Sequence, residues 1–232
     1  MGTLTRAELL QIADARLHPS LRNPNYLVLR SRREIFTSHL RALPDNLLVL
    51  DVGGRYQPYR PLLEGKIAKY IALDIQKTEF VTVIGSGEQI PFPDGTFDLL
   101  IATEVFAYFE HPRRAAGEIY RVLKPGATFV ASIPAVAPRF GDEEYWRFLP
   151  RGLHSLFSPF SKLRITPEVS SLGGFCRLMN VGFHAFLRPQ ALKPIYEWTA
   201  CPVLNLLGLA LENAQLTSND QWAGNYNVIA VK

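Results

Sequence analysis

The fold is decided by residues 47–54, which read LLVLDVGG. A short apolar run that stops at glycines is typical of a buried parallel strand that enters a loop. A glycine in such a loop lets the backbone come close to a ligand, because no Cβ intervenes. Asp74 ends a second apolar run, residues 70–74, and lies 23 residues after Asp51. A carboxylate in that position can accept hydrogen bonds from both hydroxyls of a ribose.

Strand and helix patterns alternate along the rest of the chain. Further strands are predicted at residues 81–84, 97–103 and 127–133, and a helix is predicted at 112–123. This alternation predicts an α/β fold with a doubly wound, mainly parallel sheet, which binds ligands at the carboxyl ends of its strands. The remaining pattern predicts a helix at 174–180, a strand at 181–187, apolar helix within 189–216 and a last strand at 222–232.

The pattern divides the chain into two parts. Residues 1–46 read as an N-terminal helical segment, with helices predicted at 5–18 and 26–43, and residues 47–232 form the main domain. Within that domain, residues 134–174 are irregular and rich in aromatic and charged side chains, and we expect them to form a lid on the substrate side. Residues 189–216 are predicted to be an apolar helical insertion before the last strand.

Composition excludes several classes of protein. The 232 residues are 47% hydrophobic and 20% charged, which is ordinary for a globular domain. The net charge of +4 is spread without a block of Lys and Arg, so it does not call for nucleic acid. The two cysteines and five histidines lack metal-ligand spacing. No signal peptide is recognised and the longest uncharged stretch near the C-terminus, residues 198–211, is too short to span a bilayer, so a cytoplasmic location is expected.

Four further segments carry a family resemblance. They are GSGEQIPF at 85–92, FDLLIATEV at 97–105, EIYRVLKPG at 118–126 and YWRFLPRGL at 145–153. With the D-x-G-x-G-type loop at Asp51, they resemble the class I S-adenosylmethionine (SAM) dependent methyltransferases, in the manner of a methyltransferase type 11 domain. The resemblance implies SAM as cofactor and a Rossmann-like sheet of seven strands, the last of them antiparallel.

The resemblance also implies roles for single residues. The cofactor-binding set is Asp51, Gly53, Gly54, Asp74, Ser86, Gly87, Glu88 and Thr103. Among these, Asp74 is expected to hold the ribose, and residues 86–88 the adenine. The residues expected on the substrate side are Glu104, Tyr108, Tyr145 and Arg147. The candidates for a general base are His111 and His154, and no metal site is implied.

Two function classes stay open at this point. The first is methyl transfer to a small-molecule or glycan-type acceptor, at oxygen. The second is a non-catalytic SAM-binding or scaffolding protein, which is favoured by Arg55 and Gln57 in place of the second and third loop glycines and by Ser86 in place of an aspartate. A nicotinamide-dependent oxidoreductase is disfavoured because the loop lacks G-x-G-x-x-G.

The apolar helix at residues 195–211 has two interpretations. It is either an ordinary packed helix or a surface for peripheral membrane contact. The sequence predicts neither the oligomeric state nor the methyl acceptor.

Overall fold

The computed structural model describes residues 4–139, 141–187, 191–216 and 219–232. Its strands are β1 (Leu47–Val52), β2 (Ile67–Asp74), β3 (Val83–Ile84), β4 (Phe97–Thr103), β5 (Leu123–Pro134), β6 (Ser161–Pro167) and β7 (Asn225–Val231). Its α-helices are α1 (Arg6–Leu17), α2 (Tyr26–Leu40), α3 (Pro112–Val122), α4 (Pro150–Leu156), α5 (Ser171–Phe186), α6 (Leu192–Trp198) and α7 (Ala200–Asn213). None of these helices is long and apolar enough to cross a membrane.

The strands form one sheet in the order β3-β2-β1-β4-β5-β7-β6. Strands β1 to β5 are parallel where they pair, and β7 runs antiparallel to both of its neighbours. The strand order reverses between β1 and β4, and a crevice opens at such a point outside the carboxyl ends of the strands. The predicted seven-stranded, doubly wound sheet is therefore confirmed.

Helices cover both faces of the sheet. Because neighbouring strand residues point to opposite faces, Val49 packs in a cluster with Phe36 of α2, while Leu50 packs in another with Ile119 of α3. Burial on both faces explains why the strand at residues 47–50 is apolar throughout rather than alternating.

Two predicted elements differ from the structure. The predicted strand at 181–187 is wrong, because α5 continues through Phe186. Its buried residues Cys176, Arg177, Asn180 and Val181 recur at helical spacing. The expected irregular segment at 134–174 contains α4 and the edge strand β6, in which the apolar Leu163 and Ile165 alternate with exposed polar residues.

The N-terminal segment forms the two predicted helices. Its residues 1–3 lie outside the described part of the chain. A capping box begins α1, in which the Thr5 hydroxyl accepts from the Glu8 backbone N–H and the Glu8 carboxylate accepts from the Thr5 backbone N–H. Helix α2 packs across the sheet so that Arg32 reaches the carboxyl ends of the strands. The predicted apolar insertion forms α6 and α7, apart from residues 189 and 190, which lie outside the described residues.

Candidate functional site

The loop after β1 lies against the neighbouring strand ends. The backbone N–H groups of Gly53 and Gly54 donate to the carbonyl of Leu73 at 2.8 and 3.3 Å. Gly53 has a φ of +78°, and a Cβ on it would lie 2.9 Å from Cβ of Val105 in the loop after β4. A side chain is therefore excluded here both by the backbone conformation and by packing.

The loop after β3 is fixed to the loop after β4. A Cβ on Gly87 would lie 2.7 Å from Cζ of Phe109. The Glu88 carboxylate accepts hydrogen bonds from the backbone N–H of Glu110 at 2.8 Å and of His111 at 3.3 Å. The Ser86 hydroxyl accepts from the Glu88 backbone N–H at 3.1 Å. The three residues expected near the adenine thus form one closed turn.

Two buried carboxylates end the neighbouring strands β1 and β2. Burial raises the pKa of Asp51 to about 7, and the nearby charge of Asp74 adds to the effect, while a 2.7 Å hydrogen bond from the Tyr70 hydroxyl opposes it. Asp74 accepts from the backbone N–H of Gln76 at 2.8 Å. An acceptor-only carboxylate beside a closely packed glycine loop suits ribose hydroxyls, so these residues fit SAM.

The two departures from the glycine-rich loop have structural explanations. Gln57 adopts a φ of +51°, which is the left-handed conformation that a glycine would supply without strain. Its side chain is buried, donates to the Phe80 carbonyl at 2.7 Å and accepts from Arg60 at 3.0 Å. Arg55 donates to the Gln76 side chain in the loop after β2. Residues 53–57 of the loop after β1, together with the loops after β2 and β3, are called the cofactor half of the site.

A cavity of about 210 Å³ adjoins the cofactor half. Its walls come from α1, α2, the loops after β1 and β4, α5 and β7. The residues of interest in these walls are Arg16, Arg32, Tyr59, Thr103, Glu104, Arg177 and Asn225. Glu168 does not line the cavity but accepts hydrogen bonds from Arg32. These wall residues and Glu168 are together called the acceptor half.

Arg32 organises the acceptor half. Its Nε donates to Glu168 Oε1 at 2.7 Å, and its Nη2 donates to Glu168 Oε2 at 3.0 Å and to Glu104. Burial opposes the charge on the guanidinium, but Glu168 beside it raises the pKa of Arg32 well above its ordinary value. The Ser132 hydroxyl donates to Glu168 at 2.6 Å. A charged, buried ion pair therefore supports the cavity wall.

Glu104 lies where β4 leaves the sheet, with a φ of +59°. A non-glycine residue in this region costs about 1–3 kcal/mol, and such strain persists only where the surroundings hold the residue in place. Here Arg32 donates to the carboxylate from one side, and Nδ2 of Asn225 donates at 2.6 Å from another. The result is a fixed carboxylate in the cavity wall that can accept a further hydrogen bond or a proton.

Two further arginines line the cavity. Arg177 donates to the Asn25 side chain at 2.8 and 3.1 Å and to the Val136 carbonyl at 3.1 Å. The Arg16 guanidinium lies 4.5 Å from the centre of the Tyr56 ring. Burial lowers the pKa of both arginines. Among the described residues neither forms an ion pair, so the cavity carries more positive than negative charge.

The residues predicted for the substrate side are only partly brought together. Glu104 lines the cavity, next to Thr103, which was expected in the cofactor-binding set. Tyr108 is exposed outside it, and Tyr145 is more exposed still. Arg147 donates to Glu144 at 2.7 Å and to the Pro138 carbonyl at 3.0 Å, so its fork is engaged by the protein.

The two histidines proposed as bases lie elsewhere. His111 is exposed before the first turn of α3, and His154 is exposed on α4. Neither lines the cavity, whereas the carboxylate of Glu104 does. No group of three or more His, Cys, Asp or Glu in the described part of the chain could hold a metal ion.

Sequence reasoning missed most of the acceptor half. Arg32 and Glu168 are separated by 136 residues, and no local motif links them. One signal existed in α2, where Arg32 interrupts an apolar stripe with the four-residue spacing of Val28, Phe36 and Leu40. An arginine inside such a stripe must be paired when it is buried.

Known proteins resemble the chain in sequence and in fold. A family model described as a methyltransferase domain matches residues 50–131. Sterol methyltransferase-like 2 of Botryococcus braunii is 35% identical over 182 residues, which are 72% of this chain and 43% of that protein. Demethylmenaquinone methyltransferase of Thermus thermophilus is 32% identical over 108 residues, which are 45% of this chain and 44% of that protein.

Solved structures agree on the fold. The crystal structure of a SAM-dependent methyltransferase from Archaeoglobus fulgidus superposes with a TM-score of 0.56 at 14% identity, covering 96% of this chain and 99% of that one.

The chain spans about half or less of the length of the curated relatives it matches. Its fold, its crevice and these matches agree, and the chain belongs to the class I SAM-dependent methyltransferase family.

Proposed function

We propose that the protein is an enzyme that transfers a methyl group from SAM to a hydroxyl oxygen of a small-molecule or glycan-type acceptor. The acceptor occupies the cavity of the acceptor half. The main support is Glu104, whose backbone has a positive φ and whose carboxylate lies in the cavity wall, held by Arg32 and Asn225.

The cofactor half binds and orients SAM. SAM supplies a methyl group that is bound to a sulfonium. The leaving group is a neutral thioether, so it needs no proton. In this proposal Asp74 accepts hydrogen bonds from the ribose, and Gly53 and Gly54 allow close approach of the backbone. Residues 86–88 border the adenine. Much of the rate enhancement in such a reaction comes from positioning the reactants and excluding water. Loops held by backbone hydrogen bonds favour that positioning.

The acceptor half prepares the hydroxyl nucleophile. The Glu104 carboxylate accepts the hydroxyl proton, and Arg32 and Asn225 keep that carboxylate in one place. General-base assistance of this kind contributes about 10²- to 10⁴-fold to a rate. In this proposal Glu104 replaces His111 and His154 as the base, since both histidines lie away from the cavity.

The charge of the cavity suggests the chemistry of the acceptor. Among the described residues of this region, the three arginines Arg16, Arg32 and Arg177 outnumber the acidic Glu104 and Glu168. An acceptor that carries a carboxylate or phosphate would balance the excess charge, and the planar guanidinium suits both groups. Two relatives are named for a sterol and for demethylmenaquinone, but their partial coverage does not carry either substrate to this chain.

Methyl-labelled SAM and a panel of hydroxyl compounds test the proposal. The panel pairs each neutral compound or sugar with a carboxylated or phosphorylated analogue. We expect label in an anionic member, and about 100-fold or greater loss of rate in Glu104→Gln with the affinity for S-adenosylhomocysteine (SAH) within about threefold. The exposed Glu64→Gln is the control. SAH binding without transfer to any panel member would favour the non-catalytic alternative, to which Arg55 and Gln57 point.

A further inference from the structure

The buried side of α7 includes polar groups beside the apolar Leu209 and Leu211. Asn205 donates to the carbonyls of Leu21 and Asn23 at 2.7 and 3.0 Å, in the loop before α2. The Glu212 carboxylate accepts from the backbone N–H of Ser170 at 3.0 Å. These contacts fasten α7 to the rest of the domain and leave its buried polar groups with partners.

The outward side of α7 is apolar. Val203, Leu206 and Leu207 lie on one face at helical spacing, and 64%, 52% and 49% of their surfaces are exposed. A surface helix in a globular protein normally turns its apolar residues inward and its polar residues outward. Helix α7 packs Leu209 and Leu211 inward in the usual way, but its outer face is apolar as well. Packing among the described residues does not account for that outer face.

Neighbouring helices extend this surface. Trp198 and Ile195 of α6 are exposed, Trp198 by 67%, and Phe186 at the end of α5 is exposed by 82%. An open apolar groove of about 660 Å³ between the three helices is lined by Phe183, Tyr196, Thr199, Ala200, Val203 and Leu204. The apolar face is defined as Phe183, Phe186, Ile195, Trp198, Val203, Leu206 and Leu207. Contiguous exposed apolar patches of this kind mark binding surfaces, whereas single exposed residues do not.

A cation stands at the edge of the apolar face. The guanidinium of the exposed Arg22 lies 3.6 Å from the centre of the Trp198 ring. The acidic residue on α6, Glu197, pairs with His184 at 2.9 Å. Tryptophan, large apolar side chains and adjoining Lys or Arg are the combination by which helices lie in the interface of a bilayer.

We propose that the apolar face docks on the surface of a phospholipid bilayer that contains anionic lipids. The apolar side chains enter the boundary between headgroups and acyl chains, and Arg22 meets the anionic headgroups. Because α7 holds the loop of residues 21–23, and Asn23 also lines the cavity, docking places the bilayer beside a wall of the acceptor half. The inference does not depend on methyl transfer.

Vesicle co-sedimentation tests the docking. The full chain is mixed with vesicles of phosphatidylcholine alone or of phosphatidylcholine and phosphatidylglycerol at about 4:1. We expect sedimentation with the mixed vesicles, several-fold weaker binding to phosphatidylcholine alone, and about tenfold or greater loss in Leu206→Asp/Leu207→Asp. The control Leu10→Asp/Ile84→Asp changes two half-exposed apolar residues outside the apolar face and should bind like the wild type.

Three results would overturn the inference. One is no sedimentation of the wild type with the mixed vesicles. A second is equal sedimentation of the wild type and Leu206→Asp/Leu207→Asp. The third is a wild-type dimer in light scattering that this variant converts to a monomer, without vesicle binding by either, since the face would then belong to a second copy of the chain.

Discussion

The two halves of the crevice are built from different interactions. In the cofactor half, backbone hydrogen bonds and glycine packing hold the loops, and its carboxylates Asp51 and Asp74 have no cationic partner among the described residues. In the acceptor half, charged side chains hold one another, with Arg32 between Glu104 and Glu168. The cofactor half therefore depends on local backbone geometry, and the acceptor half on long-range electrostatics.

Because the two halves are held by different interactions, they should tolerate different substitutions. A loop held by backbone hydrogen bonds should keep its conformation when a side chain that only crosses the loop is removed. A buried ion pair does not survive the loss of one member, because the other is then left charged in a low-dielectric environment. We therefore expect substitutions to reduce stability most in the acceptor half. In the cofactor half we expect mainly changes in ligand affinity, apart from the titration of the buried Asp51.

The largest effect is expected for Arg32→Met, which leaves Glu168 buried without its cation. We expect the free energy of unfolding to fall by about 3–5 kcal/mol in urea denaturation near neutral pH. Arg32→Met/Glu168→Leu should recover part of that loss, because both charges are then gone. The exposed Arg164→Met on β6 is the matched control. A loss below about 1 kcal/mol for Arg32→Met would contradict the assignment of the pair as the support of this half.

The next effect is a pH dependence that belongs to the cofactor half. Burial raises the pKa of Asp51 to about 7 from 3.8, so the native state holds a proton there that the unfolded state has released. Between about pH 4 and 7 the free energy of unfolding therefore falls as pH rises, by up to about 4 kcal/mol.

Urea denaturation at several pH values in this window measures that dependence. Asp51→Asn keeps an oxygen for the Tyr70 hydroxyl but cannot ionise. The free energy of unfolding of the variant should therefore change little with pH in this window. An identical pH profile in the variant and the wild type would show that Asp51 is not the group responsible.

A smaller effect is expected for the ribose contact. Asp74→Ala removes a charged hydrogen-bond acceptor, which is worth about 1.5–3 kcal/mol, or about 10- to 150-fold in affinity. Calorimetric titration with SAH measures this change, with the exposed Asp45→Ala as control. An unchanged dissociation constant in Asp74→Ala would remove the residue from the site.

The smallest effect is expected for Arg55→Gly. Arg55 contacts Gln76 across the loop, but Gly53 and Gly54 already supply the close approach. The affinity for SAH should change by less than about tenfold in the same titration. A much larger gain would mean that the native loop is impaired, and the non-catalytic alternative would then be preferred.

The sequence predicted the cofactor half better than the acceptor half. Strand β1, its loop and Asp74 are read from contiguous residues, because the apolar run, the glycines and the strand-end carboxylate are local features. Gln57 could not be read in this way, since its left-handed conformation depends on buried contacts with Phe80 and Arg60.

The acceptor half escaped prediction for a physical reason. Glu168 follows an edge strand that was not predicted, and Arg177 lies in a helix whose length was underestimated. Their meeting with α2 is a product of the tertiary fold. His111 and His154 were proposed for their residue type and, for His154, its place in the expected lid, and neither criterion reports distance from the cavity.

Calorimetric titration of SAH into the wild type and Glu104→Gln tests the claim that one crevice contains a cofactor half and a separate acceptor half. We expect one SAH site per chain in the wild type and an affinity within about threefold in Glu104→Gln. Absence of SAH binding to the folded wild type would contradict the claim, and so would loss of binding in Glu104→Gln with the fold intact.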